Sequence, residues 1–204
     1  MMDRLAAVSG RDVSRETFDR LTRFAEMVVA ESSHQNLLSS SSLPDLWDRH
    51  IIDGAQLLGL AEGAGSWCDI GSGPGLPGIV IAILGGVPMT LIEPRRLRAD
   101  FLDRVITTLW LEQVTVRQCK AEQVQGKFDF ITARAVARLD KLFAITAHLA
   151  RDGTKWILPK GESVKSELDE ARRTWQGSFR LVPSRTHDRA AIVVADHIRR
   201  RGKI

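Results

Sequence analysis

The segment Asp69-Ile70-Gly71-Ser72-Gly73-Pro74-Gly75-Leu76-Pro77-Gly78 joins a carboxylate to glycines at alternate positions. Gly71, Gly73 and Gly75 free the backbone for a tight turn and let a ligand approach with no Cβ in the way. Counting forward, Glu93 stands 22 positions after Gly71, where an acidic side chain at the next strand end accepts hydrogen bonds from ribose hydroxyls. Gly73, Gly75 and Gly78 also satisfy the GxGxxG spacing, so a dinucleotide has to be weighed. Asp69 bears on that choice. A pyrophosphate on the turn is anionic, and a carboxylate beside it costs on the order of a few kcal/mol at an effective dielectric of ~20. A cationic ligand suits it better: S-adenosylmethionine offers a ribose to Glu93, an α-ammonium to Asp69, and a sulfonium. The turn favours S-adenosylmethionine, with an NAD(P)-binding oxidoreductase as the alternative.

The elements that must position these residues can be read from periodicity. Phe18, Leu21, Phe24, Ala25, Val28 and Val29 recur at spacings of three and four after a Ser14 cap and predict an amphipathic helix. Leu46, Trp47, Ile51, Ala55 and Leu58 predict a second, beyond the serine run Ser39 to Ser42, which reads as a connector. From Ser66 the texture changes. Strands are expected at Trp67 to Ile70, Met89 to Glu93, Val114 to Cys119, Phe128 to Ala133, Thr154 to Leu158, Phe179 to Val182 and Ala190 to Ala195. Helices are expected through Leu84, over Leu97 to Leu109, Leu139 to Leu149 and Ser163 to Trp175, with a turn at Asp152-Gly153. Such alternation predicts an α/β fold with a doubly wound, mainly parallel seven-stranded sheet, and the first crossover is where a ligand should bind.

Composition narrows the classes. With 44% hydrophobic and 26% charged residues in 204, the chain has the make-up of a soluble globular protein, not a disordered, collagen-like or coiled-coil one. Cys68 and Cys119 form no CxxC and join no Cys/His cluster, so neither a disulfide scaffold nor a metal site is expected. No apolar run reaches the ~18 residues of a membrane span, and a cytoplasmic protein without membrane contact is expected. The net charge is +4, with 22 Arg against 7 Lys. That bias toward the side chain that forks onto phosphate suits a polyanionic partner, though an ordinary solvated surface would look the same.

Further motifs carry a resemblance. Trp47-Asp48-Arg49-His50-Ile51-Ile52-Asp53, the glycine segment, Phe128-Asp129 with Ala133-Arg134-Ala135, and Pro159-Lys160-Gly161 occur in that order. In this the chain resembles the bacterial 16S ribosomal RNA guanine-N7 methyltransferases, also called glucose-inhibited division protein B, from about Leu37 to the C-terminus. The resemblance implies a Rossmann-like class I methyltransferase domain over residues 63–204, an N-terminal helical cover over residues 1–62, and methylation of a guanine N7 in the decoding region of 16S rRNA. It implies that S-adenosylmethionine is held at Gly71 and Leu76, at Ala121 and Glu122 after the third strand, and at Arg134 after the fourth. The substrate would be 16S rRNA, naked or within the 30S subunit or its precursor, and the enzyme a monomer. Two departures are visible: Gly54 stands where the family has serine, and Glu93-Pro94 where it has Asp-Ser.

Guanine N7 bears a lone pair and no proton, so no catalytic base is assigned. Thr132-Ala133-Arg134-Ala135 is not the Asn-Pro-Pro-aromatic motif of amine methylation, and Cys68 inside a strand does not suit attack at cytosine C5. Candidate RNA contacts are Arg95, Arg96 and Arg98 after the second strand, Lys160 after the fifth, and Arg199, Arg200, Arg201 and Lys203 at the end of the chain. His50 and Asp53, three apart on a helix, either face the site or pack the cover on the sheet, and the five tryptophans read as core. A small-molecule methyltransferase and a non-catalytic nucleic-acid-binding module remain the competing classes.

Overall fold

One sheet with the strand order β3-β2-β1-β4-β5-β7-β6 organises the computed structural model, which describes residues 1–39 and 42–202. Its strands are β1 (Trp67–Ile70), β2 (Met89–Ile92), β3 (Val114–Arg117), β4 (Phe128–Ala133), β5 (Ala150–Lys160), β6 (Trp175–Pro183) and β7 (Ala191–Arg200). The helices are α1 (Met2–Ser9), α2 (Arg15–Glu31), α3 (Asp53–Leu58), α4 (Gly78–Gly85), α5 (Arg96–Leu109), α6 (Leu139–Thr146) and α7 (Val164–Thr174). Strands β1 to β5 run parallel, and β7 is antiparallel to both β5 and β6. β1 is buried at every position because helices cover both faces of the sheet, which is why its sequence is a short unbroken run.

Residue alternation in the strands divides the interior. Trp67, Met89, Leu91, Phe130, Ile157 and Val194 face one side, where they pack with α1 to α5; Cys68, Ile70, Ile92, Ile131, Trp156 and Ala195 face the other, with α6 and α7. Trp67 stacks on Phe130 at 4.8 Å between ring centroids. Leu5, Leu21, Phe24 and Val28 of the N-terminal helices belong to the same cluster as Ile79, Val80, Phe101 and Leu102, so the core does not divide at residue 62. Glu31–Arg104 at 2.6 Å and Gln35 Nε2 to the Leu97 carbonyl at 3.0 Å tie this cover to α5.

After β1 the chain crosses to β2, and after β4 to β5, on the other side of β1. The switch point therefore falls between β1 and β4, where ligands bind outside the carboxyl ends of the strands. The register pairs Ile70 with Ile92 and with Ala133. Their successors Gly71, Glu93 and Arg134 consequently leave the sheet side by side.

Several expectations need correction. Asp152-Gly153 is not a turn before β5 but an irregularity within it: Gly153 adopts φ 84°, the β4–β5 register shifts, and Thr154 Oγ1 accepts from Arg151 N–H while donating to the Phe128 carbonyl. The helix expected around Leu46 to Leu58 begins as a π turn, Trp47–Ile52, before α3. Trp175 opens β6 instead of closing α7. Four tryptophans pack as expected, but Trp110 is 78% exposed, because it ends α5 in the left-handed region with φ 54° and turns its ring outward. α1, too short to show a period, had no counterpart in the sequence reading. Ser40 and Ser41 of the connector, and Lys203, lie outside the described residues. Among the described residues no helix is long and apolar enough to cross a membrane, and no group of three or more His, Cys, Asp or Glu is placed to hold a metal ion.

Because cover and sheet share a core, Phe24→Ala is expected to cost about 3–5 kcal/mol and to shift one unfolding transition common to near-UV and far-UV signals in a urea titration. Two separated transitions would show that the cover folds as its own unit.

Candidate active site

Alternation along β1 turns Asp69 to the α4 side of the sheet, where it is 1% exposed. Its Oδ2 accepts the N–H of Gly78, the first residue of α4, at 3.1 Å, and a Cβ on Gly78 would stand 2.7 Å from that oxygen. Oδ1 is buried without a partner. Burial therefore dominates and raises the carboxyl to about 7, against the opposing pull of the Gly78 N–H. Glu93 is also buried, but both its oxygens are used: one accepts Gly73 N–H at 2.9 Å and the other Arg95 N–H at 2.9 Å. The next acid thus holds the glycine turn in shape, and a carboxylate retains lone pairs for further donors.

Gly71 lies at φ 65° and Gly73 at φ 56°, where a side chain is strained. Directly over Gly71 sits Val136, whose Cγ2 is 2.6 Å from the place a Gly71 Cβ would take. Leu76 sends its side chain into the core and leaves its backbone to the turn. Ala121 and Glu122 form a 3₁₀ turn (Ala121–Gln123) beyond the carboxyl end of β3, Ala121 buried and Glu122 exposed.

Beside the turn, beyond β4 and β5, opens a cleft of about 680 Å³. Arg49, Asp53, Arg134 to Arg138, Pro159 to Glu162, Glu167 and the β6–β7 connection with Ser184, Thr186 and His187 line it; the glycine turn does not. Arg134 joins the two regions. Its guanidinium meets His50 Nδ1 and donates to the Arg49 carbonyl at 3.5 Å, and it is drawn electrostatically to both Asp53 and Asp69. Burial, then the positive charge of Arg134 and Arg49, pushes His50 down to about 4, so the imidazole is neutral and Nδ1 is an acceptor. Its Nε2 is buried without a partner.

Asp53 Oδ1 accepts the Thr186 hydroxyl at 2.7 Å and the Gln56 amide at 2.7 Å, which fastens α3 to the β6–β7 connection. Gly54 lets α3 lie close against α4: a Cβ there would meet Pro77 Cβ at 3.3 Å and Val80 Cβ at 3.4 Å. Lys160 does not project freely. Its Nζ donates to the Ala137 carbonyl at 2.7 Å and to Glu167 at 2.9 Å, pinning the 134–138 segment to α7. Arg95 and Arg96 are exposed beyond β2, on the same edge as the turn. Arg199 and Arg200 are elsewhere. Lys160 pairs with Ala191 at the near end of β7, and nine further residues at ~3.3 Å each put Arg200 roughly 30 Å away. Val136, Glu167 and Thr186 were missed by sequence reasoning, since each enters the site through a tertiary contact without any motif of its own.

The residues fit S-adenosylmethionine better than a dinucleotide. Asp69 occupies the first N–H of α4, where a pyrophosphate would have to dock, and leaves its other oxygen without a partner.

A family model described as rRNA small subunit methyltransferase G matches residues 17–189. A ribosomal RNA small subunit methyltransferase G from Zymomonas mobilis is 43% identical over 91% of this chain and 88% of its own length. That of Sphingopyxis alaskensis is 44% identical over 89% of this chain and 79% of its own. Among solved structures, the glycopeptide N-methyltransferase MtfA complexed with S-adenosylhomocysteine superposes with a TM-score of 0.61 at 10% identity, covering 72% of this chain and 86% of that one. A mutant of MtNAS in complex with S-adenosylmethionine gives 0.57 at 19% identity, covering 87% and 71%. The fold is thus the Rossmann-like class I methyltransferase fold, and the extent and identity of the sequence matches establish that the chain belongs to the rRNA small subunit methyltransferase G family.

Proposed function

We propose that this protein transfers a methyl group from S-adenosylmethionine to N7 of a guanine in 16S rRNA, acting in the cytoplasm as a monomer on the 30S subunit or its precursor. The observation that carries this reading is the buried, half-satisfied carboxylate of Asp69 at the switch point, in a chain of this family. In this reading Asp69 Oδ1 accepts the α-ammonium and Glu93 the ribose hydroxyls. Gly71, Gly73, Gly75 and Leu76 supply bare backbone, and Ala121 and Glu122 flank the adenine. Arg134 closes the site from β4. The cofactor supplies an electrophilic methyl group on a sulfonium.

What the chain contributes is placement. N7 needs no deprotonation, and holding two reactants in line replaces a bimolecular encounter by an oriented one. The cleft beyond β4 and β5 is where the acceptor base enters. Arg95 and Arg96 border the turn and would meet phosphate near the target, with Lys160 held behind the cleft wall by Ala137 and Glu167, whereas Arg199 and Arg200 would touch RNA at a distance from it.

Mapping 16S rRNA from a strain lacking this protein is expected to show one missing N7-methylguanine, restored by the wild-type gene; an unchanged methylation map would end this reading. Gly71→Trp, which adds bulk both at a left-handed position and against Val136, is expected to weaken cofactor binding by at least about 100-fold in calorimetry.

Asp69 also sets a pH dependence of two opposite signs. Protonation near pH 7 removes the charge that an ammonium needs, so cofactor affinity should fall by up to about tenfold per unit as pH is lowered from 7. Without ligand, the raised folded value, about 7 against an ordinary 3.8, makes this group's contribution to stability full below about 4 and lost as pH rises toward 7. Asp69→Asn should flatten both slopes, read by calorimetry and by thermal melts from pH 5 to 8.

A further inference from the structure

Resting on the function proposed above, the wall of the cleft carries a chemical pattern of its own. Arg134 follows Ala133, the register partner of Ile70, and so stands beside Gly71, while Asp53 lines the cleft farther in, held to Thr186 of the β6–β7 connection. Moving from the turn into the cleft, the site therefore offers a guanidinium and then a carboxylate. Both are held from behind. His50 and the Arg49 carbonyl fix the guanidinium, while Thr186 and Gln56 both donate to Asp53 Oδ1. No hydrogen bond from a described residue reaches the other oxygen of Asp53, and Asp53 forms no ion pair among the described residues. The remaining carboxylates of the cleft are spoken for, Glu162 by Arg189 at 2.9 Å and Glu167 by Lys160.

The edge of guanine presents, in order, the N7 lone pair, the O6 acceptor, and the N1–H and N2 amino donors. We infer that Arg134 and Asp53 select guanine in the cleft, Arg134 donating to O6 and Asp53 accepting from N1–H and the N2 amino group through its unshared oxygen. With N7 turned toward the glycine turn, O6 falls beside the guanidinium and N1 beside the carboxylate. Adenine inverts both contacts: its amino group meets the guanidinium and its N1 lone pair meets the carboxylate. A site built on hydrogen bonds rejects such a mismatch because its own polar groups are left unpaired. Asp53 also gains as the reaction proceeds, since the N7-methylated base is a cation whose N1–H donates more strongly.

The test uses 30S particles from a strain lacking this protein, with GMP, IMP and AMP as competitors of methylation, and calorimetry with S-adenosylhomocysteine. GMP is expected to inhibit the wild-type enzyme about tenfold more strongly than IMP, which lacks the N2 amino group, and AMP at least about 100-fold more weakly than GMP. In Asp53→Asn the GMP and IMP constants should converge to within about twofold and kcat/KM on 30S should drop by about 100-fold, with affinity for S-adenosylhomocysteine kept within about twofold. Asp53→Ala, which opens space instead of introducing an amide, should show the same convergence, so that a folding defect in one variant does not decide the matter. A variant that retained the wild-type ratio of GMP to IMP, or a wild-type enzyme indifferent to GMP, would overturn the inference. A wild-type protein that methylates no guanine N7 in these particles would remove the proposed function, and this assignment with it.

Discussion

A carboxylate with nothing but sheet and helix around it is an unfavourable thing to bury, and Asp69 is buried with one oxygen satisfied and one not. Its position follows from the period of the strand: Trp67 and Asp69 point the same way because they are two apart, so a chain that places Trp67 in the core must place Asp69 under α4. Gly78 completes the constraint. Only a residue without Cβ brings the first turn of α4 close enough for its N–H to reach Oδ2, and Glu93 secures the other flank through Gly73. The turn keeps its shape from beneath and from the side.

Two compartments arise from this arrangement, one on each side of the β4 crossover. Val136 stands over Gly71 on the turn side, while Ala137 is pinned through Lys160 to Glu167 on the cleft side. The segment between β4 and α6 therefore borders both. Arg134 opens the segment, and the π turn of the cover reaches over to hold it through His50 and the Arg49 carbonyl. The N-terminal helices consequently do more than shield a sheet face: their packing against α4 and α5 delivers Arg49, His50 and Asp53 to the functional edge.

Much of this was legible in the sequence, for identifiable reasons. The parallel strands are short apolar runs bounded by turn residues, so β1, β2 and β4 were read to within a residue. Elements set by neighbours were not. β5 extends back to Ala150 because the edge of β4 continues to offer partners past Gly153, and Trp110 turns outward because α5 ends in a left-handed residue. The spatial separation of the basic clusters was likewise not legible along the chain. Arg199 and Arg200 follow Lys160 in the chain's order of basic clusters, yet an antiparallel β7 carries them to the far end of the sheet.

The sequence by itself determined the class of fold, the glycine turn with Asp69 and Glu93 at its margins, and the family, because these are properties of local spacing and side-chain type. Tertiary structure alone decided that Asp69 lies beneath the turn with one oxygen bare, that Lys160 is a tether before it is a contact, and that Asp53 and Arg134 share a wall. Those facts depend on which strand ends stand side by side and which helix lies across them, and no spacing along the chain encodes a distance between residues 53 and 134.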